Sequence, residues 1–183
     1  ITTRDSLAVF ILYATRTGRL IKGSMQSFPF VLLHKLKFIP NYKAKERLFR
    51  AFFGGIAVDI FNELAAKFSQ RIDSILNPSA IEKLKWHQQM GHEVVIVSAS
   101  PENWIIPWAG QMGIKTVLAT QLKTDNGIIT GYFASKNCHG PEKVSRLLTH
   151  FPDRKSYVLY AYGDSGGDKE LLALADHAFY RSF

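Results

Sequence analysis

The chain has a single cysteine, Cys138, among 183 residues. That rules out an intramolecular disulfide framework and any zinc site built on cysteines, and it fits a reducing compartment. No apolar run reaches the roughly 18 residues that a membrane-spanning helix needs. Leu7 to Ala14 is the only stretch resembling the apolar region of a signal peptide, and its basic flank is thin, with Asp5 just before it. A buried or amphipathic helix is the better reading. There is no internal repeat, and charge is too well mixed with apolar residues for a disordered chain.

Acidic residues are also scarce where the charge is concentrated. The whole chain is +8, and residues 4–77 alone carry 12 Lys and Arg against 5 Asp and Glu, a net of +7. The same residues are almost wholly helical in pattern. Thr3-Arg4-Asp5-Ser6 opens a first capped helix ending near Gly18. A second runs from Ser24 to Phe38, broken early by Pro29. Asn41 to Phe53 is a third. Ile56 to Leu76 is a fourth, with Ile60, Leu64, Phe68, Ile72 and Ile75 at helical spacing.

Asn77-Pro78-Ser79 marks a boundary, after which helices and strands alternate. Such alternation predicts a parallel sheet covered by helices. Asp125-Asn126-Gly127, between two strand-like runs, predicts a hairpin with a tight turn. The expected architecture is α/β, with a helical insertion at 4–77. The sheet-bearing core comprises 78–183 together with 1–3.

Three stretches carry chemistry. The first is the apolar, aromatic strand Tyr157–Tyr162, which ends in Gly163-Asp164-Ser165-Gly166-Gly167-Asp168. Ligands bind at such strand tips in open α/β sheets, and paired carboxylates supply hard oxygen donors suited to Mg²⁺. A polar turn with Asp168 capping the next helix explains the same residues. The second is Val94-Val95-Ile96-Val97-Ser98-Ala99-Ser100-Pro101-Glu102. With Ser100 as N-cap and Pro101 opening a helix, the free N–H groups and the Ser98 hydroxyl could cradle a phosphate. A capped helix with no ligand reads equally well. The third is Gly140-Pro141-Glu142-Lys143. It puts a cation in the first turn of a helix, where the dipole disfavours it unless carboxylates or phosphate compensate.

Taken in order, Ser98, Lys143 and the Gly163–Asp168 stretch resemble motifs II, III and IV of the haloacid dehalogenase (HAD) superfamily. The helical insertion resembles the C1-type cap of its phosphoserine-phosphatase-like subfamily IB. The resemblance implies a Rossmann-like core and a Mg²⁺-dependent phosphatase that forms an aspartyl-phosphate intermediate. It implies Asp164 as a metal ligand, with Asp168 either binding the metal through water or orienting Lys143. Lys143 would neutralise charge, and Ser98 with the Ala99 N–H would hold the phosphoryl group. Asp5 falls near the place of an acidic substrate-binding residue, and helix capping accounts for it as well. The family's motif I, Asp-x-Asp-Gly-Thr, is absent between Ile1 and Phe183. Its nucleophile and its acid/base aspartate are therefore expected just upstream of Ile1, so the chain from Ile1 onward should be inactive alone.

The basic, aromatic cap leaves alternatives open. One is a small phosphorylated substrate. Another is an anionic lipid phosphate of the phosphatidylglycerophosphate type, met by a peripheral membrane contact without a transmembrane segment. A third is a non-catalytic phosphate-binding module, should the upstream aspartates be missing. Nucleic acid is not expected, because no dedicated motif accompanies the charge. The expected location is the cytoplasm or its membrane face.

Overall fold

A computed structural model describes residues 1–15 and 17–182. In chain order the elements are α1 (Ser6–Ala14), α2 (Thr17–Lys35), α3 (Asn41–Phe53), α4 (Val58–Ser69), a 3₁₀ turn (Ile72–Ile75), α5 (Pro78–Gln89), β1 (Val95–Pro101), α6 (Glu102–Gln111), β2 (Thr116–Thr120), β3 (Leu122–Asp125), β4 (Ile128–Phe133), α7 (Pro141–His150), β5 (Tyr160–Gly163), α8 (Lys169–Leu174) and β6 (His177–Tyr180). They form two compact units. One holds Ile1, Leu76–Thr120 and Lys136–Phe183; the other holds Thr2–Ile75 and Gln121–Ser135.

The helical unit is built on stacked aromatic rings. Phe10 is fully buried and lies 5.2 Å from Phe53, 5.5 Å from Phe61 and 5.2 Å from Phe68, centroid to centroid. The inward face of α4 is Phe61, Ala65 and Phe68. Ile60, which the periodicity placed on that face, points to solvent. The stripe is offset because Phe61 fills the space between Phe10 and Phe53. Pro29 does not break α2: it lies inside one continuous helix. Thr3 donates from its backbone N–H and its hydroxyl to the Ile75 carbonyl, tying the two ends of this helical stretch together.

The β3–β4 hairpin forms as its turn residues predict. Asn126 (φ 46°) and Gly127 (φ 75°) both adopt the left-handed conformation that a tight hairpin turn requires. The hairpin groups with the helices, whereas the division at residue 78 left it in the core. Its partner is the segment joining α3 to α4: Gly55 donates to Ile129 O, Ile129 to Ile56 O, and Val58 to Gly127 O, at 2.8–2.9 Å. Gly131 makes the closest approach. Its φ is +84°, and a Cβ there would stand 2.4 Å from Arg50 Cα. Backbone thus packs on backbone, and Gly131→Ala is expected to destabilise the protein by about 2 kcal/mol through crowding and strain. Urea denaturation of the two forms measures this directly.

The sheet unit contains two parallel pairs, β1–β2 and β5–β6, with Ser98 opposite Ala119 and Tyr162 opposite Phe179. Val95, Ile96 and Val97 run apolar without alternation, as in strands covered on both faces. The two pairs are not hydrogen-bonded to each other among the described residues, yet they share one core. Leu147 of α7, Ala161 of β5 and Leu171 of α8 pack there with Val97 of β1 and Leu118 of β2. On the other side of β5, His87 of α5 lies with one ring nitrogen 2.9 Å from the Tyr162 hydroxyl and the other 2.8 Å from His92. Burial, then the electrostatic influence of His92 and Lys83, holds His87 below the usual histidine value.

Candidate active site

The α7 helix places the central side chain. Gly140 takes φ 61°, Pro141 opens the helix, and the buried faces of Lys143 and Leu147 are one turn apart. Lys143 therefore points inward with the apolar side of its own helix. Its ammonium donates to the Val97 carbonyl at 3.0 Å and to Asp168 Oδ1 at 2.5 Å. The pair is nearly dry, with side chains 11% and 8% exposed. An unpaired charge at such a site would cost several kcal/mol, which accounts for the tight contact.

Asp168 is held from the opposite side by its own turn. Its Oδ2 accepts from the Ser165 hydroxyl at 2.7 Å, the Ser165 N–H at 3.0 Å and the Asp164 N–H at 3.3 Å. Burial pushes its pKa up, but the Lys143 and Ser165 hydrogen bonds and the Lys143 charge outweigh this and hold it below the usual aspartate value. Gly163 permits the packing, since a Cβ there would meet Asp168 Cβ at 2.5 Å. Asp164 sits at the tip of β5 with its side chain exposed; its carbonyl accepts from Arg181.

Ser98 follows Val97 directly, so the Lys143 bond to the Val97 carbonyl brings the end of β1 to the same cluster. The Ser98 hydroxyl accepts the Ser100 N–H at 3.1 Å. Strand β1 continues through Ala99 to Pro101, which is paired with Thr120, so α6 begins at Glu102 with Pro101 rather than Ser100 as N-cap. Buried Thr120 braces this end. Its hydroxyl bonds the Ala99 carbonyl and Asn137 Oδ1 at 3.3 Å and accepts the Cys138 N–H at 3.0 Å. Ile1 belongs to the same unit as this end of β1.

Ser98, Ala99, Lys143, Asp164 and Asp168 thus lie in one unit around one buried ion pair. Asp5 belongs to the helical unit. Its carboxylate caps α1, accepting the Leu7 N–H at 2.8 Å and the Ala8 N–H at 3.3 Å. Sequence reasoning did not single out Ser165 or Thr120. Ser165 carried a signal: with Asp168 it makes the Ser-x-x-Asp pattern of a capping box. Thr120 carried none, because its role comes from segments distant in sequence.

No group of three His, Cys, Asp or Glu side chains arranged to hold a metal occurs among the described residues. Mg²⁺ demands less, usually taking one or two carboxylates with waters and phosphate oxygens. An exposed Asp164 beside a locked Asp168 fits that donor chemistry.

The sheet unit thus combines parallel strands, a buried lysine–aspartate pair and a glycine-rich acidic turn. The chain belongs to the haloacid dehalogenase-like hydrolase family, whose model matches residues 1–173. It is 36% identical to protein CicA of Caulobacter vibrioides over 144 residues, 77% of this chain and 64% of CicA. A probable phosphatase of Mycobacterium tuberculosis is 32% identical over 102 residues, 54% of this chain and 35% of that protein. Among solved structures, a probable phosphoserine phosphatase from Vibrio cholerae superposes with a TM-score of 0.67 at 15% identity, covering 93% of this chain and 51% of that one. The chain spans less than two thirds of the length of these relatives.

Proposed function

We propose that the protein is a Mg²⁺-dependent phosphatase that hydrolyses a phosphate monoester through an aspartyl-phosphate. The observation that supports this most is the Lys143–Asp168 pair, which joins the Val97–Ser98 stretch of β1 to the turn after β5 that carries Asp164. Phosphoryl transfer needs positioning and charge neutralisation above all, and these residues offer both. Lys143 lowers the negative charge that accumulates when a carboxylate attacks phosphorus. Asp168 keeps the lysine aimed. The Ser98 hydroxyl and the Ala99 N–H bind a phosphoryl oxygen. Asp164 would hold Mg²⁺, and the cation would supply electrostatic stabilisation of the phosphoryl group.

The family resemblance assigns the attacking aspartate and the acid/base aspartate to its motif I, expected upstream of Ile1. The attacking carboxylate displaces the leaving alkoxide, which takes a proton from the acid; the deprotonated acid then takes a proton from water, whose oxygen attacks phosphorus, breaks the aspartyl-phosphate bond and releases inorganic phosphate and the free carboxylate. The helical unit serves as the cap that selects the substrate, with Asp5 as a candidate contact. A lipid carrying the phosphate is a second reading, favoured by the exposed face of α2 described below.

The test is a panel of phosphate monoesters offered to the protein together with its upstream segment. Release of inorganic phosphate is expected with Mg²⁺ and is expected to vanish with chelator and return when Mg²⁺ is restored. Phosphate binding without any turnover would instead favour a non-catalytic module.

A further inference from the structure

The α2 helix leaves a row of large apolar side chains uncovered. Its inward face begins with Gly23, where a Cβ would stand 2.4 Å from the Phe52 ring of α3, and Ser27, whose hydroxyl donates to the Gly23 carbonyl at 2.7 Å, and continues through half-buried Phe30 and Val31. Its outward face carries Ile21, Met25, Phe28 and Leu32, which are 58%, 73%, 64% and 44% exposed. These positions are four, three and four residues apart, so they form one stripe along the helix. The stripe extends about 16 Å at the helical rise. Leu36 and Phe38 continue it past the helix end, with Phe38 74% exposed. Contiguous exposed apolar surface of this kind marks an interaction site rather than scattered surface residues.

The charge around the stripe identifies the occupant. Between residues 6 and 45 there is no Asp or Glu and there are seven Lys and Arg. Lys22, Lys35, Lys37 and Lys43 are all exposed beside the apolar positions. A protein partner would have to match a bare apolar ridge flanked by cations of one sign. An anionic lipid surface does so without any specific fit: apolar side chains enter the acyl boundary while long lysine stems reach back to the headgroups. The helix does not cross the bilayer, since no helix among the described residues is long and apolar enough to do so.

We propose that the outward face of α2, from Ile21 to Phe38, docks the protein on an anionic membrane surface. The docking does not depend on the phosphatase reading, because none of its residues belongs to the Lys143 cluster. It brings phosphorylated lipids within reach of the protein but does not itself identify a substrate.

The test is co-sedimentation of the full-length protein with vesicles of equal parts phosphatidylcholine and phosphatidylglycerol, against phosphatidylcholine alone. Binding is expected to the anionic vesicles and to weaken with salt. A Lys22→Gln, Lys35→Gln, Lys37→Gln variant should bind about 10²-fold more weakly, given the usual contribution of each cation near an anionic surface. Met25→Glu with Phe28→Glu should lose at least about tenfold through the apolar term. Far-UV circular dichroism should be unchanged in both variants, as should turnover of a water-soluble phosphate ester if the phosphatase reading holds. Failure to bind anionic vesicles, or equal binding by both variants, overturns the proposal. So does a dimer in analytical ultracentrifugation that the Met25→Glu, Phe28→Glu variant abolishes, which would show that a second copy covers the face.

Discussion

Lys143→Ala is expected to lower kcat by about 10²–10³ while leaving secondary structure intact, the usual consequence of removing one preorganised electrostatic partner. The same substitution should also cost stability, about 3 kcal/mol or more, because Asp168 is left ionised and buried without its cation. Phosphate release and chemical denaturation report the two effects separately. A second variant, Lys143→Met with Asp168→Asn, distinguishes them further. Removing both charges should restore most of the stability and none of the activity. If the double variant recovered turnover, Lys143 would be a packing residue. If Lys143→Ala had near-normal kcat, the site proposed at the ends of β1 and β5 would be wrong.

Asp164→Asn is expected to have the opposite profile. Its side chain is exposed at the tip of β5, so stability should change by less than about 0.5 kcal/mol. Turnover should fall by about 10²-fold or more, with part of the loss recovered at higher Mg²⁺, because the amide remains an oxygen donor but has lost its charge. Isothermal titration with Mg²⁺ checks the binding arm and phosphate release the catalytic arm. Unchanged Mg²⁺ affinity would remove Asp164 as the cation's ligand.

The contrast between these variants shows which parts of the site can be read from residues alone. Lys143 and Asp164 open or follow a regular element, with proline or glycine beside them, so their placement at a helix start and a strand tip was legible; Ser98, read as the end of its strand, lies within β1 instead. The need for compensation was legible from a cation in the first turn of α7, and the family resemblance offered Asp168 as the group that orients it; the two residues form an ion pair. That β1 runs on to Pro101 was not legible, because pairing with Thr120 overrides the local preference of Ser100 for a cap. Nor was the solvent face of α2. Its apolar spacing is that of a buried helix, and only the packing of Gly23 on Phe52 shows which side is turned inward.

The hairpin at 121–135 has a practical consequence for anyone who wishes to take the molecule apart. The chain passes between the two units at three points after its start, near residues 75, 120 and 135, rather than at a single linker. A fragment ending at residue 75 would lack the strand that seats on Gly55 and Ile56, and would bare the α3 backbone where Gly131 rests. A minimal sheet-bearing fragment would in turn need residues 121–135 excised and the ends rejoined. Dissection by simple truncation should therefore yield insoluble pieces on both sides of the cut, whereas a spliced version carrying the hairpin with the helices should remain soluble.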